Sequence, residues 1–170
     1  MQAVFDILSR SSVPLLIVGG HALTAHGLLR QTFDVDCLIA DEDAETLDSL
    51  LRAENYELAA RSNNFGRYRS RLPNLPEVDV LFVDRDTFDK LQHNSIPLQR
   101  RKHRFQAPGL MQLIALKLHA IRNEPRRSAR DVADITELLR LNPGKVSSTG
   151  LEELCQRFGP PGIRDKLPKE

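Results

Sequence analysis

The chain has 170 residues, 41% hydrophobic and 28% charged, with a net charge of +1, enough for one sizeable core. No apolar run approaches the ~20 residues that span a bilayer, and the N-terminus lacks the basic head and apolar stretch of a secretion signal, so a cytoplasmic protein without a membrane partner is expected. Cys37 and Cys155 lie far apart and outside any Cys-x-x-Cys spacing, which argues against a disulfide framework or a zinc site.

Residues 2–10 place Val4, Phe5, Ile7 and Leu8 at helical spacing and predict a short helix. Residues 13–39 carry the most information. Leu15 to Val18 is a short apolar run ended by Gly19-Gly20, a pair that permits a sharp turn and close approach of backbone to a ligand. A short helix and a second strand are predicted after it. Alternation with a period of two puts Asp34 and Asp36 on one face of that strand and Val35 and Cys37 on the other. Two carboxylates on one face form a clamp for a divalent cation.

Asp41 to Glu45 opens the next helix, where acidic side chains suit the dipole and read as a solvated first turn; Leu47, Leu50 and Leu51 give its apolar stripe. Tyr56 to Ala60 and Phe65 to Arg71 flank Ser62-Asn63-Asn64 as a hairpin. Arg67, Arg69 and Arg71 would share one strand face, either as a solvated edge or as a path for a polyanion. Residues 77–84 read as a further strand, with Asp79 between Val78 and Val80. A carboxylate there is costly unless it is paired or metal-bound.

Residues 86–92 predict a short helix, and a basic run from Arg100 to Arg104 follows. Beyond Pro108-Gly109, helices are predicted over 110–122, about 127–141 and 151–158, before a Pro- and Gly-rich tail expected to be loosely ordered. Residues 1–108 would form a core and 109–170 a helical segment packed on it, in one compact domain. Lys117 interrupts an apolar helix; it either snorkels from the helix face or reaches a phosphate. Asp131 and Asp134 lie three apart, and one would orient Lys117 or Arg130. The five histidines are scattered, and neither a Gly-x-Ser-x-Gly elbow nor a Walker lysine loop is present.

Gly19-Gly20, a spacer and Arg30-x-Thr32-x-Asp34-Val35-Asp36 together resemble the nucleotidyltransferase superfamily built on the DNA polymerase beta-like core. Within it the likeness is to the AbiEii/AbiGii toxin-type minimal nucleotidyltransferases, which Lys117 and the later Arg130-Asp131-Val-Ala-Asp134 also resemble. The resemblance implies an α/β (α+β) fold: a mixed central sheet with flanking helices, a nucleotidyltransferase-like core, and C-terminal helices. It implies Mg²⁺-dependent transfer of a nucleoside monophosphate from an NTP to an acceptor, RNA such as tRNA or a protein, as the toxin of a pair with a cognate antitoxin. Asp34, Asp36 and Asp79 would hold two Mg²⁺ ions, Asp79 also taking the acceptor's proton, with Lys117 as a further catalytic residue. Gly19, Gly20, Arg30 and Thr32 would surround the phosphates of the NTP. Basic residues in 100–104 and 122–130 would attract an RNA backbone. Two other readings stay open: a catalytically inactive binding partner of the same fold, and a small-molecule, antibiotic-modifying nucleotidyltransferase, which an acidic acceptor cleft would favour.

Overall fold

The computed structural model describes residues 2–168. These fall into two units, one made of the chain up to Ala25 with Leu29–Pro108, the other of His26–Leu28 with the chain from Gly109 onward.

The first unit begins with helix α1 (Gln2–Leu8), whose Val4, Phe5, Ile7 and Leu8 are buried. Strand β1 (Leu16–Ile17) leads through the glycine turn into helix α2 (Gly19–Leu23), then β2 (Val35–Ala40) and helix α3 (Ala44–Ala53). Strands β3 (Tyr56–Arg61), β4 (Phe65–Ser70) and β5 (Val78–Val83) follow, then helix α4 (Arg85–His93) and the hairpin β6 (Ser95–Arg100) and β7 (His103–Pro108). All the strands join one mixed sheet in the order β3-β4-β5-β2-β1-β7-β6. β2 runs parallel to β5, and β1 parallel to β7; the other neighbours are antiparallel. The α/β class with a mixed central sheet is therefore what the chain adopts.

β2 and β5 lie in the interior of the sheet, which is why Val-Asp-Cys-Leu-Ile-Ala and Val-Asp-Val-Leu-Phe-Val read as almost continuous apolar runs. Val35, Cys37, Leu38, Ile39, Val78 and Val80 are fully buried. Asp84 ends β5 and caps α4, its carboxylate accepting from the Thr87 amide at 2.8 Å. Arg85 donates to Glu42 at 2.7 Å and to Asp43 at 2.8 Å, so the acidic first turn expected to be solvated is partly paired.

One further expectation changes, and one hairpin appears that the sequence did not signal. β4 is flanked on both sides, so its arginines are not a free sheet edge; Arg67 pairs with Asp79 and Arg69 with Glu77, while Arg71, just past the strand, pairs with Glu57. The basic run of 100–104 is the tip of a hairpin, with Arg101 at φ 50°, a turn the sequence does not signal because no Gly or Asn stands there. Only Leu98, Phe105, Ala107 and Pro108 of that hairpin are buried, too sparse an apolar pattern to mark two strands.

The second unit holds helices α5 (Leu110–Asn123), α6 (Ser128–Leu141) and α7 (Ser148–Phe158). Ser147 caps α7 by accepting from the Gly150 amide at 3.0 Å. The segment after α7 is packed rather than loose: it forms a short 3-10 turn at Ile163–Lys166, with Ile163 and Leu167 buried. Two apolar side chains four apart are enough to hold it, despite the flanking prolines. No helix among the described residues is long and apolar enough to cross a membrane.

Candidate metal centre and phosphate turn

Strand register builds the centre. Asp36 on β2 is the lateral neighbour of Asp79 on β5, and Asp79 is in turn the neighbour of Arg67 on β4. Residues paired across adjacent strands point to the same face, so the three side chains form a row across the sheet. Asp34, one step before β2, joins them. One carboxylate oxygen from each of Asp34, Asp36 and Asp79 lies within 4.8 Å of the others. Asp79 is buried, the other two half-buried. Three hard oxygen donors converging from rigid strands suit Mg²⁺ or Mn²⁺, and nothing in the set suits a soft metal.

The glycine turn is pressed against these acids. The Val18 amide donates to the Asp36 carbonyl at 2.9 Å, fixing the end of β1 to β2. Gly19 follows at φ +58°, and a Cβ there would overlap the Asp36 carboxylate. Glycine is needed at this position both for its backbone angle and for the space the carboxylate occupies. A Cβ on Gly20 would stand 2.8 Å from Thr32 Cβ and 3.2 Å from Arg30 Nη2. Thr32 Oγ1 donates to Asp34 Oδ1 at 2.7 Å, holding the loop before β2 in place. Gly19, Gly20, Arg30 and Thr32 are thus gathered around the carboxylates.

Arg67 is the residue sequence reasoning missed. Its Nε donates to Asp79 Oδ1 at 2.8 Å and its Nη2 to Asp79 Oδ2 at 2.7 Å, a two-pronged pair. Hydrogen bonding to Asp79 raises the guanidinium above its ordinary value. The available signal was the arginine alternation along β4; the register that sets Arg67 opposite Asp79 was not visible. Nearby, burial and then the Arg100 guanidinium push His21 down to about 4, so it is neutral at neutral pH. Burial, with Asp36 and Asp79 adding to it, raises the Cys37 thiol, which is therefore a packing residue.

In the second unit, Lys117 is 6% exposed and donates to Asp131 at 2.8 Å and Asp134 at 2.7 Å, tying α5 to α6. Among the basic residues expected to face RNA, Arg100 donates to the His21 carbonyl at 2.7 Å and Thr24 Oγ1 at 2.6 Å, and Arg122 donates to the Gly159 carbonyl at 2.8 Å. Arg101, Lys102 and Arg104 of the first unit and Arg126 and Arg130 of the second are exposed.

No family model matches the chain, and no curated protein matches it significantly. Solved structures do. The antibiotic-resistance factor ANT(2'')-Ia superposes with a TM-score of 0.68 at 14% identity, over 91% of this chain and 88% of that one. The lincosamide antibiotic adenylyltransferase LnuA, lincomycin-bound, gives 0.60 at 11% identity, over 82% and 94%. An antigenic nucleotidyltransferase-like protein from Paracoccidioides brasiliensis gives 0.56 at 19% identity, over 99% and 94%. At such identities the shared property is the fold, and the chain has a nucleotidyltransferase-like one.

Proposed function

We propose that the protein is a divalent-metal-dependent nucleotidyltransferase that moves a nucleoside monophosphate from an NTP to an acceptor hydroxyl. The convergence of Asp34, Asp36 and Asp79 beside the Gly19 turn carries this reading. Two Mg²⁺ ions bound there would stabilise the charge that develops on the attacking and leaving oxygens of an in-line displacement. The chain itself supplies the rest. Backbone amides at Gly19 and Gly20 and the side chains of Arg30 and Thr32 hold phosphate oxygens. Asp34 and Asp36 ligate metal. Asp79 ligates metal and accepts the acceptor's proton on a carboxylate oxygen. Lys117 enters as the cation that holds Asp131 and Asp134.

Two acceptor classes have support. An RNA such as tRNA suits the exposed arginines and lysine at the β6–β7 tip and Arg126 and Arg130, and is the version compatible with a toxin-type protein and a cognate antitoxin. A small hydroxyl-bearing molecule suits the likeness to the antibiotic-resistance factor ANT(2'')-Ia and to the lincosamide adenylyltransferase LnuA, each matched over most of both chains.

The test is incubation with Mg²⁺ and each alpha-labelled NTP in turn, against total tRNA, an aminoglycoside or a lincosamide, beside Asp34→Asn and Asp36→Asn. Label on one acceptor with the wild type and a loss of roughly a hundredfold or more in the variants is expected. Equal label in wild type and variants would remove the carboxylates from the chemistry. No label anywhere would favour a non-catalytic binding partner.

A further inference from the structure

Both oxygens of Asp79 are engaged by Arg67. The two partners differ in exposure: the Asp79 side chain is 8% exposed and that of Arg67 42%. The guanidinium is thus the solvent side of a buried carboxylate. A second acceptor stands within reach, since Glu77 Oε2, just before β5 and two residues from Asp79, lies 3.4 Å from Arg67 Nε. Arg67 therefore has somewhere to go when it releases Asp79.

The charges explain why it sits where it does. Three carboxylates whose oxygens converge within 4.8 Å repel one another, and a fixed guanidinium relieves that repulsion. A divalent cation on an Asp79 oxygen would relieve it more strongly and would repel the guanidinium at about 4–5 Å. We infer that Arg67 is a resident counter-ion of the metal centre, exchanged for a divalent cation by swinging from Asp79 to Glu77. This rests on the metal reading proposed above. While Arg67 donates to both of its oxygens, Asp79 cannot take a proton from an acceptor hydroxyl. Loading metal and freeing the third carboxylate become one event, and Arg67 is a positioning residue that acts through Asp79.

The exchange is tested by titrating the full-length protein with Mn²⁺, reading free Mn²⁺ by electron paramagnetic resonance, and by the melting temperature with and without Mn²⁺. Wild type, Arg67→Gln, Arg67→Lys, Arg71→Gln and Asp34→Asn are compared. Removing a positive charge beside a divalent site should tighten Mn²⁺ binding of Arg67→Gln by about tenfold, lower its metal-free melting temperature, and let Mn²⁺ restore it. Arg67→Lys, which keeps the charge and loses the two-pronged geometry, should fall between, and covers the case in which Arg67→Gln does not fold without metal. Arg71→Gln, which alters an exposed residue that pairs with Glu57 at 3.0 Å and with neither Asp79 nor Glu77, should match the wild type. If the Arg67 variants bind Mn²⁺ no more tightly than the wild type while Asp34→Asn loses it, the exchange is wrong and the metal centre stands. If none of the proteins binds Mn²⁺, both fall.

Discussion

Among single residues, the strictest demand falls on Gly19. Its positive φ makes any L side chain strained, and its missing Cβ leaves room for the Asp36 carboxylate. Gly19→Ala should lose about 1–2 kcal/mol in urea denaturation and weaken Mn²⁺ binding by more than about tenfold. Gly144 offers the control, because it has φ +74° and only open space where a Cβ would stand. Gly144→Ala should show the strain and leave Mn²⁺ binding alone. Equal Mn²⁺ affinity in Gly19→Ala and the wild type would mean the turn does not shape the carboxylate site. The sequence disclosed this pair of glycines and the acids on β2, since one turn and one alternating strand bring them together locally. It did not disclose Arg67, because its partner depends on a strand register set between segments twelve residues apart.

Among the secondary-structure elements, the α5–α6 pair depends on a buried charge network. Lys117, Asp131 and Asp134 are each at most 6% exposed, so removing the cation leaves two carboxylates with little solvent. Lys117→Met should cost about 3–5 kcal/mol, measured as a shift in urea midpoint at constant slope. Any loss of transfer activity should track the loss of folded protein. A fully folded Lys117→Met without turnover would instead place the ammonium in the chemistry. The helices themselves were legible, since 3.6-residue periodicity is sustained over fourteen residues in both α5 and α6. The partners of Lys117 were half legible: the spacing of Asp131 and Asp134 put them on one face, and the structure shows both, not one, taking the ammonium.

For the chain as a whole, stability should fall with acid over two pH windows. His21 is depressed from 6.5 to about 4, so between those values the unfolded chain binds a proton that the folded chain refuses, and stability falls as pH drops through that window. Asp6, held down by His103, and Asp84, held down by Thr87, are depressed below 3.8; their contributions are present above that value and lost as pH falls beneath it. Urea midpoints in EDTA should be flat from about pH 8 to 7 and decline from about 6.5 to 4.5, with a shallower decline in His21→Asn. Identical slopes in both proteins would exclude His21 as the source. The sheet that carries all of this was only partly readable: the apolar β2 and β5 stand out, whereas β6 and β7 bury too few residues to be seen. Its shortest strand, β1, has a further bearing on how the molecule opens. β1 contributes only Leu16 and Ile17, and its pairing with β7 is a single register contact, Leu16 with Gln106. That short strand is all that stitches the β6–β7 hairpin to the four strands on its other side, among them the two that bear Asp36 and Asp79. Backbone amides of the hairpin can therefore exchange with solvent through an opening that leaves β2 and β5 protected, making the seam at β1 the boundary between two cooperative units of one sheet.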